Sequence, residues 1–178
     1  MLQEILSTVQ NEFSDLPDVE QVTRVTVRLL MAILLGALLG FNRERQDSFA
    51  GLRTHMLVAL GAALFVLVPQ QMGMGPDAIS RVLQGLVSGI GFLGAGAVLK
   101  LSDSGQIRGL TTAASIWTTA AIGITAGLGL EATAILCTVL AWVILGLMMR
   151  LERLIDKKVH RQNLPQALVL PTDRDGAA

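Results

Sequence analysis

Four stretches of this sequence carry no Asp, Glu, Lys or Arg: Thr54 to Pro76, Val82 to Leu99, Gly109 to Leu130 and Ala132 to Met149. A hydrocarbon core about 30 Å thick takes roughly 20 helical residues, with about 17 as the lower limit. Each stretch is long enough to cross a bilayer as a helix. A fifth stretch is less clean: Leu29 to Asn42 alone is too short, and it reaches span length by taking in Val22, Val25 and Val27 beyond Arg28. Arg28 then falls in the terminal turns, where a long side chain snorkels its guanidinium to the headgroups. Asp18 and Gln21, just after Pro17, have the spacing of a capping box and set the start of this helix.

The expectation is an all-α polytopic membrane protein, a bundle of five transmembrane helices at about 18–43, 54–72, 78–99, 109–129 and 131–149. Composition agrees, since 52% of residues are hydrophobic and 16% charged, against about a quarter charged in a soluble domain. The formal net charge is zero, which removes the electrostatic case for nucleic acid. Met1 to Glu20 is acidic, with no basic region of the kind that opens a cleavable signal peptide, so the first span itself is expected to drive insertion. Cys137, the single cysteine, lies within an apolar run as a packed or lipid-facing thiol.

Orientation follows from basic residues, which accumulate on the cytoplasmic side. Five spans place Arg43, Arg45, Arg53, Lys100, Arg108, Arg150, Arg153, Lys157, Lys158, Arg161 and Arg174 together, against Arg24, Arg28 and Arg81 on the other side. That division points to an extracytoplasmic N-terminus and a cytoplasmic C-terminus, and four spans would spoil it. Residues 1–17 carry Leu2, Ile5, Leu6, Val9 and Phe13 on one helical face and read as an extracytoplasmic interfacial segment. Residues 150–178 read as a basic juxtamembrane helix, continued by Leu151, Leu154, Ile155 and Val159, and then a loose tail.

Gly89, Gly91 and Gly94 spell G-x-G-x-x-G, but they lie inside an uncharged span with no strand before them, so a dinucleotide site is excluded. With Gly85 and Gly96 they are read as helix-packing glycines, as are Gly36 with Gly40 and Gly123 with Gly127. The alternative is a broken helix lining a polar cavity, as in transporters. Asp77 and Arg81 stand four apart at a helix start, the spacing of a structural ion pair. The basic loops containing Arg43, Glu44, Arg45 and Arg53, and Lys100, Asp103 and Arg108, serve topology first; the functional alternative is an anion or partner site at the mouth of the bundle. His55 has no second histidine, thiol or carboxylate at ligand spacing, so no metal site is read, and no cofactor motif survives. Thr111, Thr112 and Ser115 supply hydroxyls for bonds between helices or to their own carbonyls. Trp117 is read as filling space at depth and Trp142 as facing lipid. No Ser, His and Asp arrangement supports hydrolase chemistry, so an enzyme is not expected.

Several stretches resemble the MgtC/SapB family: Gly40-Phe41-Asn42-Arg43-Glu44, Ala50-Gly51-Leu52-Arg53-Thr54, Leu57 to Phe65, Arg81, Ser88 to Gly96, Arg108 to Ala114, Trp117, and the spaced Gly123, Gly127 and Gly129. They occur in order from about residue 24 to 148. The resemblance implies a bacterial inner-membrane protein linked to growth under magnesium limitation and, in pathogens, to survival inside macrophages. It also implies that the protein works through membrane partners such as the F-type ATP synthase; some members are associated with acid resistance. A second copy of the chain is a further candidate partner. Asn42 stands where many relatives carry an acidic residue, so a role for that carboxylate is not carried over. Virulence-associated members have a soluble C-terminal domain, whereas about thirty residues follow the fifth span in this sequence. Asn42, Arg43, Glu44, Arg53, Thr54, Asp77, Arg81, Arg108, Thr111, Thr112 and Trp117 are the candidate functional positions. Arg53 and Arg108, each at a helix start on the basic side, are expected to do more than set orientation. The competing function is a small transporter or channel in magnesium or acid homeostasis.

Overall fold

The structure is a computed structural model that describes residues 1–12, 18–99 and 109–162, with side chains in these ranges except at 99 and 148–162. Six helices follow one another: α1 Leu2–Glu12, α2 Val19–Glu44, α3 Leu52–Gln71, α4 Pro76–Leu99, α5 Leu110–Gly127 and α6 Glu131–Gln162. No strand occurs among the described residues. The chain divides into a unit Met1–Val143 and a second unit from Ile144, of which the described part is the remaining helical backbone of α6. Phe13, Pro17, Lys100, Asp103, Arg108 and the tail beyond Gln162 lie outside the described residues.

Helices α2, α3 and α4 are long and apolar enough to cross a membrane. α5 is 18 residues long and uncharged, but Thr111, Thr112, Ser115, Thr118, Thr119 and Thr125 lower its hydropathy. Of these, Thr112, Ser115 and Thr119 are buried in the bundle, where they do not meet lipid. The described apolar part of α6 runs Glu131–Leu147.

Helices α2, α3 and α5 turn most of their small and polar residues inward and leave many large apolar ones outward, where a water-soluble bundle would place polar side chains. On α2 the buried stripe is Ala32, Leu35, Gly36, Leu39, Gly40 and Arg43, a spacing that follows the helical repeat. Leu30, Leu34, Leu38 and Phe41 on its other side are more than half exposed. Asp18 starts this helix from an extended backbone, its carboxylate accepting from the Gln21 amide at 2.7 Å.

Helices α2, α3 and α5 form the inner triad, and glycines set their spacing. A Cβ added at Gly36 would stand 2.7 Å from the His55 carbonyl oxygen, and one at Gly40 would stand 2.8 Å from Leu52 Cα. At Gly123 and Gly127 it would stand 2.8 Å from Ala59 Cα and Ala63 Cα respectively. Such distances mean that helix backbones touch, so dispersion and backbone contact hold the triad where lipid supplies no hydrophobic drive.

α4 packs on α5 and α3 more lightly. Ile90, its one buried residue among those described, joins Ala50, Ala62, Ile116 and Ala120. The expected packing of Gly85, Gly89, Gly91 and Gly96 is not made against the described residues, where a Cβ at each would meet nothing within 4 Å. Gly94 would meet only Ala113 Cβ, at 3.6 Å. Gly85, Gly89, Gly91 and Gly96 are exposed, the first, second and fourth along one stripe of α4, a placement that their spacing along the helix does not reveal. The broken-helix alternative fails as well, since α4 is continuous through all five.

Candidate functional site

α2 ends where α3 and α5 begin, and at this end the chain buries its polar side chains. Arg43, in the last turn of α2, is 7% exposed. Its Nη1 donates to Gln46 Oε1 at 2.7 Å, and its Nη2 donates to Ser48 Oγ at 3.2 Å and Thr112 Oγ1 at 3.0 Å. Ser48 and Thr112 hydroxyls also bond each other at 3.1 Å. One guanidinium thus ties α2, the connection after it and the first turn of α5 together. Its Nε has no partner, and among the described residues no carboxylate pairs with it. A charge removed from water costs several kcal/mol unless paired or fully bonded, so this one is only partly compensated.

His55, one turn into α3, is fully buried beside this group. Its Nδ1 lies 2.9 Å from the Gly51 carbonyl and its Nε2 lies 3.2 Å from Ser115 Oγ. The Ser115 hydroxyl donates to the Thr112 carbonyl at 2.8 Å. Because a carbonyl only accepts, Nδ1 carries a proton. Sequence reasoning weighed His55 only as a metal ligand and read Ser115 as a hydroxyl bonding across helices or to its own carbonyls, and named neither as a functional position; the signal for their pairing was a histidine and a serine inside otherwise apolar spans, each of which needs a partner there.

Glu44 is spent locally. Gly51, at the N-cap of α3, has no side chain to cap with, and Glu44 Oε2 accepts from the Leu52 amide at 2.6 Å instead. Asn42 accepts from Gln46 Nε2. Arg45 stacks over Phe41 at 4.4 Å from the ring centroid. Gly109 opens α5 at φ 93°, a left-handed conformation suited to glycine, and no side chain caps the helix there.

Not every expected position joins this group. Thr112 does, whereas Arg53, Thr54 and Thr111 are exposed, and Arg108 lies outside the described residues. Trp117 does not fill space at depth; it is 49% exposed and lines a shallow apolar groove between α4 and α5 with Leu86, Val87, Ile90 and Ile124. Its position facing α4 at the edge of the triad explains this. Asp77 and Arg81 are exposed and form no ion pair; among the described residues the ion pairs are the Met1 terminus with Glu4 and Arg24 with Glu20. An exposed pair gains too little to hold two flexible side chains together.

At the opposite end stands Arg28, in the early turns of α2. It donates to Gln70 Oε1 at 2.7 Å and to the Gly127 carbonyl at 3.2 Å, where α3 and α5 present their C-terminal ends. A cation there complements the carbonyl ends of both helices. The guanidinium lies against Gly129, which is left-handed at φ 82°.

Between the two ends the interior is apolar and tight. Hydroxyls on the inner face of α5 continue from Thr112 through Ser115 to Thr119, about 10 Å along the axis. Beyond Thr119, Ile122, Gly123, Ala126, Ala59, Ala63 and Val66 close the triad.

Residues 29–154 match the MgtC family. The chain is 40% identical over 164 residues to Protein SrpB of Synechococcus elongatus, covering 85% of this chain and 90% of that protein. It is 46% identical over 114 residues to Protein MgtC of Salmonella typhimurium, covering 64% of this chain and 48% of that protein. It is 41% identical over 131 residues to Protein MgtC of Brucella abortus, covering 74% and 54%. The chain thus spans about half the length of the proteins named MgtC. No solved structure matches it.

Proposed function

The chain belongs to the MgtC family, and on that premise we propose that it is an inner-membrane regulatory protein for growth under magnesium limitation that acts through another membrane protein. In a pathogen the same role extends to survival inside macrophages, and the F-type ATP synthase is the partner that the family resemblance implies. Five spans, α2 to α6, with the N-terminus outside and the C-terminus in the cytoplasm, complete this reading; the division of basic residues supports them.

The observation that carries the partner reading is the outward face of α4. Gly85, Gly89, Gly91 and Gly96 have open space where a Cβ would stand, and small residues let another helix approach closely in lipid. The closed triad interior between Thr119 and Arg28 weighs against the transporter alternative, whose structural basis was a broken glycine helix.

A deletion strain complemented with Gly89→Leu tests the partner reading. The variant is expected to accumulate and melt like the wild type yet fail to restore growth at low magnesium, and full restoration overturns the reading. Liposomes loaded with a magnesium-sensitive dye separate the alternative. Saturable influx that requires the protein and is lost in Glu44→Gln or Asp77→Asn establishes a transporter.

A further inference from the structure

We propose that the Arg43 cluster is a binding site for a phosphate group, supplied either by a lipid headgroup or by a free phosphate compound. A guanidinium has five N–H donors, and Arg43 spends one on Gln46, one on Ser48 and one on Thr112. Nε–H is left without an acceptor, together with one hydrogen on Nη1. The unpartnered group belongs to a side chain only 7% exposed, and its Nη2 reaches Thr112 Oγ1 in the first turn of α5. The amides that open that turn receive no side-chain cap from Gly109 among the described residues.

Among the described residues, the charges around the cluster do not cancel Arg43. The positive N-terminal end of α5 and the negative C-terminal end of α2 offset each other. The N-terminal end of α3 is answered by Glu44, whose carboxylate is held at the Leu52 amide. Asp47 is exposed and Arg45 lies over Phe41. What remains is one buried positive charge with donors on several sides: Nε–H and Nη1–H, one of the Ser48 and Thr112 hydroxyls, the other being spent on the bond between them, and the first amides of α5. Acceptors on several sides suit the tetrahedral oxygens of phosphate better than the planar pair of a carboxylate. Gln46 and Ser48 are half-buried on an exposed connection, so an anion enters when the Gln46 side chain turns aside. The helix ends place this mouth at headgroup depth.

The test uses the full chain in a phosphate-free detergent, with unfolding followed by the fluorescence of Trp117 and Trp142. One arm titrates inorganic phosphate against chloride at equal ionic strength. The other adds phosphatidylglycerol to the micelles, with diacylglycerol as the control lacking a headgroup. A saturable rise in melting temperature in either arm is expected, and the arm that saturates identifies the source. Arg43→Lys keeps the charge but loses the fork, and weakens that binding by about tenfold or more. Where Arg43→Lys does not fold, Ser48→Ala decides in its place by the same weakening. Absence of saturation in both arms overturns the proposal, and so does unchanged binding in the folded variant.

Discussion

Gly123 of α5 rests directly on Ala59 of α3: a Cβ added at Gly123 would stand 2.8 Å from Ala59 Cα. No flexible side chain is available to give way, so anything larger forces the two helices apart.

Gly123→Ala is therefore expected to destabilise the protein by about 1–3 kcal/mol, the cost of overpacking a tight contact, read as a lower melting temperature in detergent. Gly89→Ala, placed where a Cβ meets nothing within 4 Å, is expected to stay within about 0.5 kcal/mol of the wild type or to gain slightly from helix propensity. Equal losses at the two positions would mean that α4 is packed as tightly as α5.

Arg28 acts as a staple between helix ends, through Gln70 of α3 and the Gly127 carbonyl of α5. Arg28→Gln removes the charged donor facing Gln70 and the Gly127 carbonyl and is expected to cost about 1–3 kcal/mol. Arg24→Gln, which loses only the exposed pair with Glu20, should cost less than about 0.5 kcal/mol. Thermal melting of the two variants side by side checks the contrast.

His55 and Ser115 form one buried unit. Ser115→Ala strands His55 Nε2, at about 1–3 kcal/mol, whereas His55→Leu leaves the Ser115 hydroxyl bonded to the Thr112 carbonyl and costs the packing and the Gly51 contact of the ring. The double variant is expected to be less destabilised than the sum, by about 0.5–2 kcal/mol in a double-mutant cycle. Strict additivity would show that the 3.2 Å contact contributes nothing.

Topology is open to cysteine labelling. With Cys137→Ser as background, Ser7→Cys and Gln71→Cys are expected to react with an impermeant thiol reagent added to cells with a permeabilised wall, and Arg45→Cys to be protected until the membrane is opened. All three positions are exposed on the protein, so burial does not confound the result. Labelling of Arg45→Cys in sealed cells would reverse the orientation.

The amino-acid order alone determined that this chain is helical and membrane-bound, because the absence of charge over a bilayer's length is a one-dimensional property that lipid reads directly. It also carried the family, through motifs from Gly40 to Gly129. Facing was not legible in that way. Gly123 and Gly89 sit in similar glycine-rich runs, yet one touches backbone and the other faces open space, since lipid is as apolar as the interior and hydrophobic periodicity loses its meaning. Arg28, Arg43 and Arg53 all looked like basic residues at span ends. Only the convergence of α2, α3 and α5 decided that the first joins the Gln70 side chain to the Gly127 carbonyl, the second is buried against the Ser48 and Thr112 hydroxyls, and the third points away. Partners 42 to 99 residues apart in sequence, as for Arg28 with Gln70 and Gly127 and for Arg43 with Thr112, have no local signature; they exist because helix packing brings their ends together.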